Sequence, residues 1–337
     1  MPDSLPAVTE AIFERRGEAF WATDFARGPW DANAQHGGAP AALLGGELEC
    51  LDPQPELRIV RITYELLRPV PLGELHVRVE ITRQGKRAQL TEAALSAPDG
   101  TVLVRARALR VARAPVTAGS VSEATPPAPK SAPSAVTPWN PRSLPGGAVE
   151  LRYVQGDPSE LGPRTAWFRL KVPVIAGEEP TPLQRLLVAA DFPNGISNEI
   201  DWREWLFINP DLTVYIEREP RGEWIALQAR TRMLEGEAAL AEAVLFDTEG
   251  RVGRSLQSLS SRGAEGQAAG GRGPTHPRRH WSLQPERLDA DVVLLGVAAV
   301  DPVRERLDDR QQRRVRAHER RCVRRVVQAD AGQPRYL

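Results

Sequence analysis

Asp191 closes an apolar run, residues 180–195 (PTPLQRLLVAADFPNG), in which Leu183, Leu186, Leu187 and Ala190 recur at helical spacing. The run reads as one buried helix. Pro182 suits its first turn, where a missing N–H costs nothing, and Pro193 and Gly195 stop it. A carboxylate in the last turn gains nothing from the helix, whose C-terminal end already carries partial negative charge. Against an apolar wall it can instead take the proton of a bound water; the alternative is a solvated helix end. A second group stands at residues 36–38, His-Gly-Gly, ahead of another apolar helix over 40–51. Gly37 and Gly38 leave backbone N–H groups uncovered at the positive end of that helix, suited to a developing oxyanion, or they only permit tight packing. His36 either caps the loop or takes part in the chemistry. A proton acceptor and an oxyanion donor are the parts that water attack on an acyl group requires.

Antiparallel strands surround both helices. Residues 17–27 read as a strand centred on Phe20 and Trp21, broken at Gly28-Pro29. Further strands are expected over 58–69, 75–82, 89–97 and 102–111, with Pro98-Asp99-Gly100 turning the last pair into a hairpin. Residues 113–136 are rich in Ala, Pro, Ser and Thr and read as a linker. A second strand-rich block starts near Thr165. The two blocks repeat: residues 91–110 align without a gap on 241–260, so that Glu92 meets Glu242, Gly100 meets Gly250 and Arg107 meets Gln257. Residues 64–69 resemble 215–220, and the helix at 40–51 resembles 182–193, which sets Glu49 against Asp191. Each half is then one long helix followed by an antiparallel meander. A sheet curled around an apolar helix buries it on every side.

Composition narrows the function. The 337 residues hold 44 basic and 44 acidic side chains, a balance that argues against a nucleic-acid or membrane-surface role. The two cysteines, Cys50 and Cys322, lie far apart without a Cys/His cluster, so neither a disulfide scaffold nor a metal site is expected, and a reducing cytoplasm is. The first 30 residues hold no apolar run of signal-peptide type, and no stretch approaches the ~20 apolar residues that span a bilayer. Beyond Ser261 the pattern stops. Residues 263–337 read as a basic, disordered or non-native tail; acidic residues among its arginines and the lack of interleaved aromatics argue against a nucleic-acid arm.

Residues 30–44 (WDANAQHGGAPAALL), 61–69 (RITYELLRP), 191–210 (DFPNGISNEIDWREWLFINP) and 254–258 (RSLQS) resemble the double hotdog acyl-CoA thioesterases of the acyl-CoA thioesterase II type, actinobacterial relatives included. The resemblance covers about residues 10–262. It implies an α+β fold of two tandem hotdog units, at 10–112 and 137–262, each with a helix wrapped by an antiparallel sheet. It implies hydrolysis of an acyl thioester to a free acid and coenzyme A, with coenzyme A only as part of the substrate and no bound cofactor. It further implies a site where the two units meet, with Asp191 as base, Gln257 orienting the water, and Asn209 where the family often has Thr. Thr213 lies nearby on the same strand region. A homo-oligomer is expected on the same ground.

Only the first half carries His-Gly-Gly, and only the second carries Asp191 and Gln257, so one working site per chain is expected. Two other readings compete. A hotdog dehydratase or hydratase needs His beside an acid, and His36 with Glu49 is the candidate pair. A non-catalytic acyl-CoA-binding protein is the other, kept open by Asn209 in place of Thr.

Overall fold

The computed structural model describes residues 10–51, 56–113, 124–200, 205–234 and 238–263. The tail from 264 and the Asp201–Glu204 stretch lie outside the described residues.

In place of one strand at 17–27 the chain forms a hairpin, β1 (Phe13–Arg16) and β2 (Ala19–Ala22), turning at Gly17 with φ +62. Phe20 faces inward and Trp21 outward, and Asp24–Ala26 then winds a 3-10 turn capped by Thr23. Helix α1 (Gly38–Cys50) follows, then the meander β3 (Leu57–Leu66), β4 (Gly73–Arg83), β5 (Ala88–Ser96) and β6 (Val102–Ala112). The second half repeats the plan: hairpin β7 (Val149–Gln155) and β8 (Arg164–Leu170), helix α2 (Pro182–Ala190), then β10 (Asp211–Ile216), β11 (Trp224–Arg232), β12 (Ala239–Asp247) and β13 (Gly250–Gly263). A short β9 (Trp205–Ile208) pairs with the end of β13.

The strands form one continuous antiparallel sheet in the order β1-β2-β4-β5-β6-β3-β10-β13-β12-β11-β8-β7. This order reads the same from both ends once the halves are matched, which is the double hotdog expected from the repeat. The seam is β3 against β10, where Thr63 pairs with Thr213. α1 is buried on nearly every side, with Ala42, Leu43, Leu44 and Leu48 at 0 % exposure, which explains why an apolar stripe alone does not describe it. Tyr64 reaches it from β3 and donates from its hydroxyl to the Ala41 carbonyl at 2.9 Å.

The second helix is shorter than expected. α2 ends at Ala190, Asp191 is its C-cap (φ −95, ψ 6), and Pro193 opens a further turn, α3 (Pro193–Ile196), that contains Gly195. Pro193 therefore starts a helical turn, consistent with proline's preference for the first position. The front of α2 is fixed by a capping box, Thr181 with Gln184.

The gapless repeat slips by one residue on its last strand. Leu95 pairs with Val104, whereas Leu245 pairs with Gly253, so the second hairpin is one residue shorter. Since successive side chains alternate faces, a one-residue slip moves a position to the other side of the sheet. Gln257 thus corresponds to buried Ala108, which pairs with Thr91 as Gln257 pairs with Ala241. Arg107 points outward to Glu92 (2.6 Å) and has no counterpart role.

The described part of the linker region, 124–136, is fastened to the second half rather than loose. The Trp167 indole donates to the Pro127 carbonyl at 2.7 Å, Arg152 to Pro129 and Ala132 carbonyls, and Ala135 N–H to Leu151 O at 2.7 Å.

The two helices touch backbone to backbone. A Cβ on Gly38 would stand 2.7 Å from the Val188 carbonyl oxygen, which cannot swing away as a side chain could. Gly38→Ala is expected to push the helices apart and lower stability by ~1–3 kcal/mol, read as a lower denaturation midpoint with an unchanged denaturant slope.

Candidate active site

The antiparallel contact of α1 with α2 sets the N-terminus of the first against the C-terminus of the second. Asp191, leaving α2, therefore faces Gly37 and His36, which lead into α1. The carboxylate is 3 % exposed, with its two oxygens in different company. Oδ1 accepts from Gln257 Nε2 at 2.7 Å and from Asn209 Nδ2 at 2.9 Å. Oδ2 faces the His36 ring, 3.0 Å from Nδ1, and the Gly37 backbone, on which a Cβ would stand 2.7 Å away. The positive end of the α1 dipole lies on this side and complements a negative carboxylate.

Gln257 arrives from β13, where Ser255, Gln257 and Leu259 share the inner face. Its amide is held at both ends. Nε2 also donates to the Asp191 carbonyl at 3.2 Å, and Oε1 accepts from the Asn194 N–H at 3.4 Å. Gln257 is 1 % exposed and stands behind the carboxylate. Asn209 sits between β9 and β10 and is braced by a further bond to the Asp211 carbonyl at 3.2 Å.

His36 caps α1, since Nδ1 accepts from the Gly38 N–H at 3.1 Å. Its ring stacks on Phe192 with centroids 4.4 Å apart. Nδ1 has room for one hydrogen. Unprotonated it accepts from Gly38, and protonated it donates to Asp191. The Gly38 amide is thus taken, while the Gly37 N–H has no acceptor among the described residues, so the two glycines are not equivalent donors.

Thr213 is not brought to this cluster. On β10 it alternates with inward-facing Leu212 and Val214, and its hydroxyl bonds Thr63 Oγ1 at 3.2 Å across the seam. His36 and Glu49 are not brought together either. They flank opposite ends of α1, about 20 Å apart along a helix rising 1.5 Å per residue. At that far end Glu47 is paired with Arg15 at 2.8 Å, and Arg110 donates to the Leu48 carbonyl. The pairing of His36 with Asp191 escaped the sequence reading. The signal for it was the internal repeat, which makes the two helices antiparallel neighbours.

A cavity of about 1130 Å³ opens at the cluster. His36, Gly37, Asp191 and Asn209 line it beside an apolar wall that includes Trp30, Trp139 and Phe207. Trp30 and Trp139 meet edge to face at 5.9 Å. The volume suits a flexible ligand with a long apolar part.

Sequence profiles of the acyl-CoA thioesterase N-terminal domain and C-terminal domain match residues 26–111 and 121–260 respectively. The chain belongs to the acyl-CoA thioesterase family. Solved structures carry the same fold. A candidate thioesterase II from Thermobifida fusca matches at 13 % identity with a TM-score of 0.59, over 74 % of this chain and 96 % of that one. A hot dog fold protein of unknown function from Alicyclobacillus acidocaldarius matches at 15 % identity and 0.58, over 75 % and 96 %. An acyl-CoA thioesterase II from Mycobacterium marinum matches at 15 % and 0.55, over 75 % and 97 %. None of the curated proteins matches in sequence. In this acyl-CoA thioesterase family member no described helix is long and apolar enough to cross a membrane.

Proposed function

We propose that the chain hydrolyses acyl-CoA thioesters to the free acid and coenzyme A, with Asp191 as the base for the attacking water. The observation that carries this reading is the asymmetry of the Asp191 carboxylate. Gln257 and Asn209 fix Oδ1 from behind, and Oδ2 lies against Gly37 and His36 at a cavity fit for an acyl chain. A water on Oδ2 attacks the thioester carbonyl carbon as Asp191 takes its proton. The carbonyl oxygen becomes an oxyanion beside the Gly37 N–H at the start of α1. Collapse of the tetrahedral species breaks the C–S bond, the thiolate takes the proton from Asp191, and the acid ionises into solvent.

In this account Gln257 is a positioning residue for the carboxylate. Gln257→Leu leaves Oδ1 with Asn209 alone and the Asn194 N–H without its acceptor. The expected result is a fall in kcat of about 10-fold with KM little changed, measured as thiol release. A merely structural role would lower stability and leave kcat per folded molecule unaltered. The non-catalytic reading predicts thioester binding without turnover in the intact protein.

A further inference from the structure

Behind α3 the cavity changes character. Arg164, on β8, is 6 % exposed and lines it. Its Nε donates to the Asp157 carbonyl and its Nη1 to the Ile196 carbonyl at the end of α3, both at 2.8 Å. Nη2 has no protein acceptor, and among the described residues no carboxylate stands within ion-pairing distance. The guanidinium's direct partners are neutral carbonyls, and the only opposite charge shown to act on it is the exposed Asp157 carboxylate, at longer range than an ion pair, which offsets a buried charge only in part. Two further polar groups line the same cavity without a protein partner of their own: the Tyr153 hydroxyl and the Asn194 side-chain amide, whose residue is 9 % exposed. Tyr153 is on β7, the hairpin partner of β8. Burial raises its phenol above the ordinary value while the Arg164 charge opposes the rise, which places the two groups within electrostatic reach of each other.

We propose that Arg164, with Tyr153 and Asn194, forms a subsite for a carboxylate carried on the acyl chain, so that the preferred substrates are thioesters of dicarboxylic acids. The inference rests on the thioesterase reading above. α3 gives the scale: Ile196, whose carbonyl Arg164 holds, lies five residues beyond Asp191, ~7–8 Å at helical rise, so acyl chains of about six to eight carbons are the ones to compare. A planar guanidinium with a free nitrogen suits a carboxylate better than an amide oxygen, since both partners are charged.

The test compares adipoyl-CoA with hexanoyl-CoA and suberoyl-CoA with octanoyl-CoA. For the wild-type protein the ratio of kcat/KM within each pair is expected to favour the dicarboxylic member by ~10-fold or more. Arg164→Lys should keep part of that ratio and Arg164→Met should bring it to about one. A wild-type ratio near one overturns the proposal without recourse to any variant. So does an Arg164→Met protein in which both members fall alike, because Arg164 then serves the coenzyme arm or only the end of α3. If no thioester is hydrolysed, the thioesterase reading fails and the subsite is judged by calorimetry with the non-hydrolysable thioether analogues. Binding ~10-fold tighter for the carboxylated analogue upholds the subsite, and equal binding overturns it.

Discussion

Asp191→Asn is expected to lower kcat by about 100-fold or more, about 3 kcal/mol of transition-state stabilisation, while leaving KM and stability nearly unchanged. The contacts explain why the two effects separate. The asparagine oxygen can occupy the place of Oδ1 and accept from Gln257 and Asn209 as the carboxylate does. Its amide nitrogen then replaces Oδ2 beside His36 Nδ1, which is now 3.0 Å from that oxygen and whose one lone pair already accepts from the Gly38 N–H. The two bonds that fix Oδ1 are kept, so the fold loses at most the contact at His36. What disappears is the carboxylate proposed to take the proton from the attacking water. Stopped-flow thiol release together with a thermal melt checks both halves; a melt lowered by many degrees would point to a structural carboxylate instead.

Gly37→Ala is the second large effect, expected at ~10–100-fold in kcat. A methyl group at this position would stand 2.7 Å from Asp191 Oδ2 and 3.2 Å from both the carboxyl carbon and Oδ1, so the carboxylate has to move. Moving it breaks the alignment with Gln257 and Asn209, and it displaces the proposed base from the water it would activate. The backbone conformation (φ −58, ψ −24) is one that alanine adopts freely, so strain is not the cause of the loss. The effect should therefore appear in kcat more than in stability. This contrasts with Gly38→Ala, where the neighbouring atom is a backbone carbonyl and stability falls. The pair of variants separates a glycine that makes room for chemistry from one that makes room for a helix.

Much of this arrangement was legible from residue types. The apolar spacing of Leu183, Leu186 and Leu187 marked α2, and the repeat marked two units built alike. The glycines at 37 and 38 marked a helix start with bare backbone. Asp191, Gln257 and Asn209 do meet, although Gln257 and Asn209 were chosen by family resemblance, because nothing in a strand tells a buried glutamine from a half-exposed one. Three features were hidden for physical reasons. The shortened hairpin between β12 and β13 leaves the residue types aligned while reversing the faces, so Arg107 looked like the mate of Gln257. Pro193 looked like a stop because proline ends one helix and begins another with the same ring. Arg164 is one arginine among many, and its burial depends on α3 and the loop at Asp157, which meet it only in three dimensions.

The most direct measurement is product analysis of the intact protein with acyl-CoA thioesters of graded chain length, following free thiol and free acid together. The account predicts equimolar coenzyme A and carboxylic acid over repeated turnovers with no added cofactor or metal. Binding of the same thioesters with no acid formed at any chain length would contradict it.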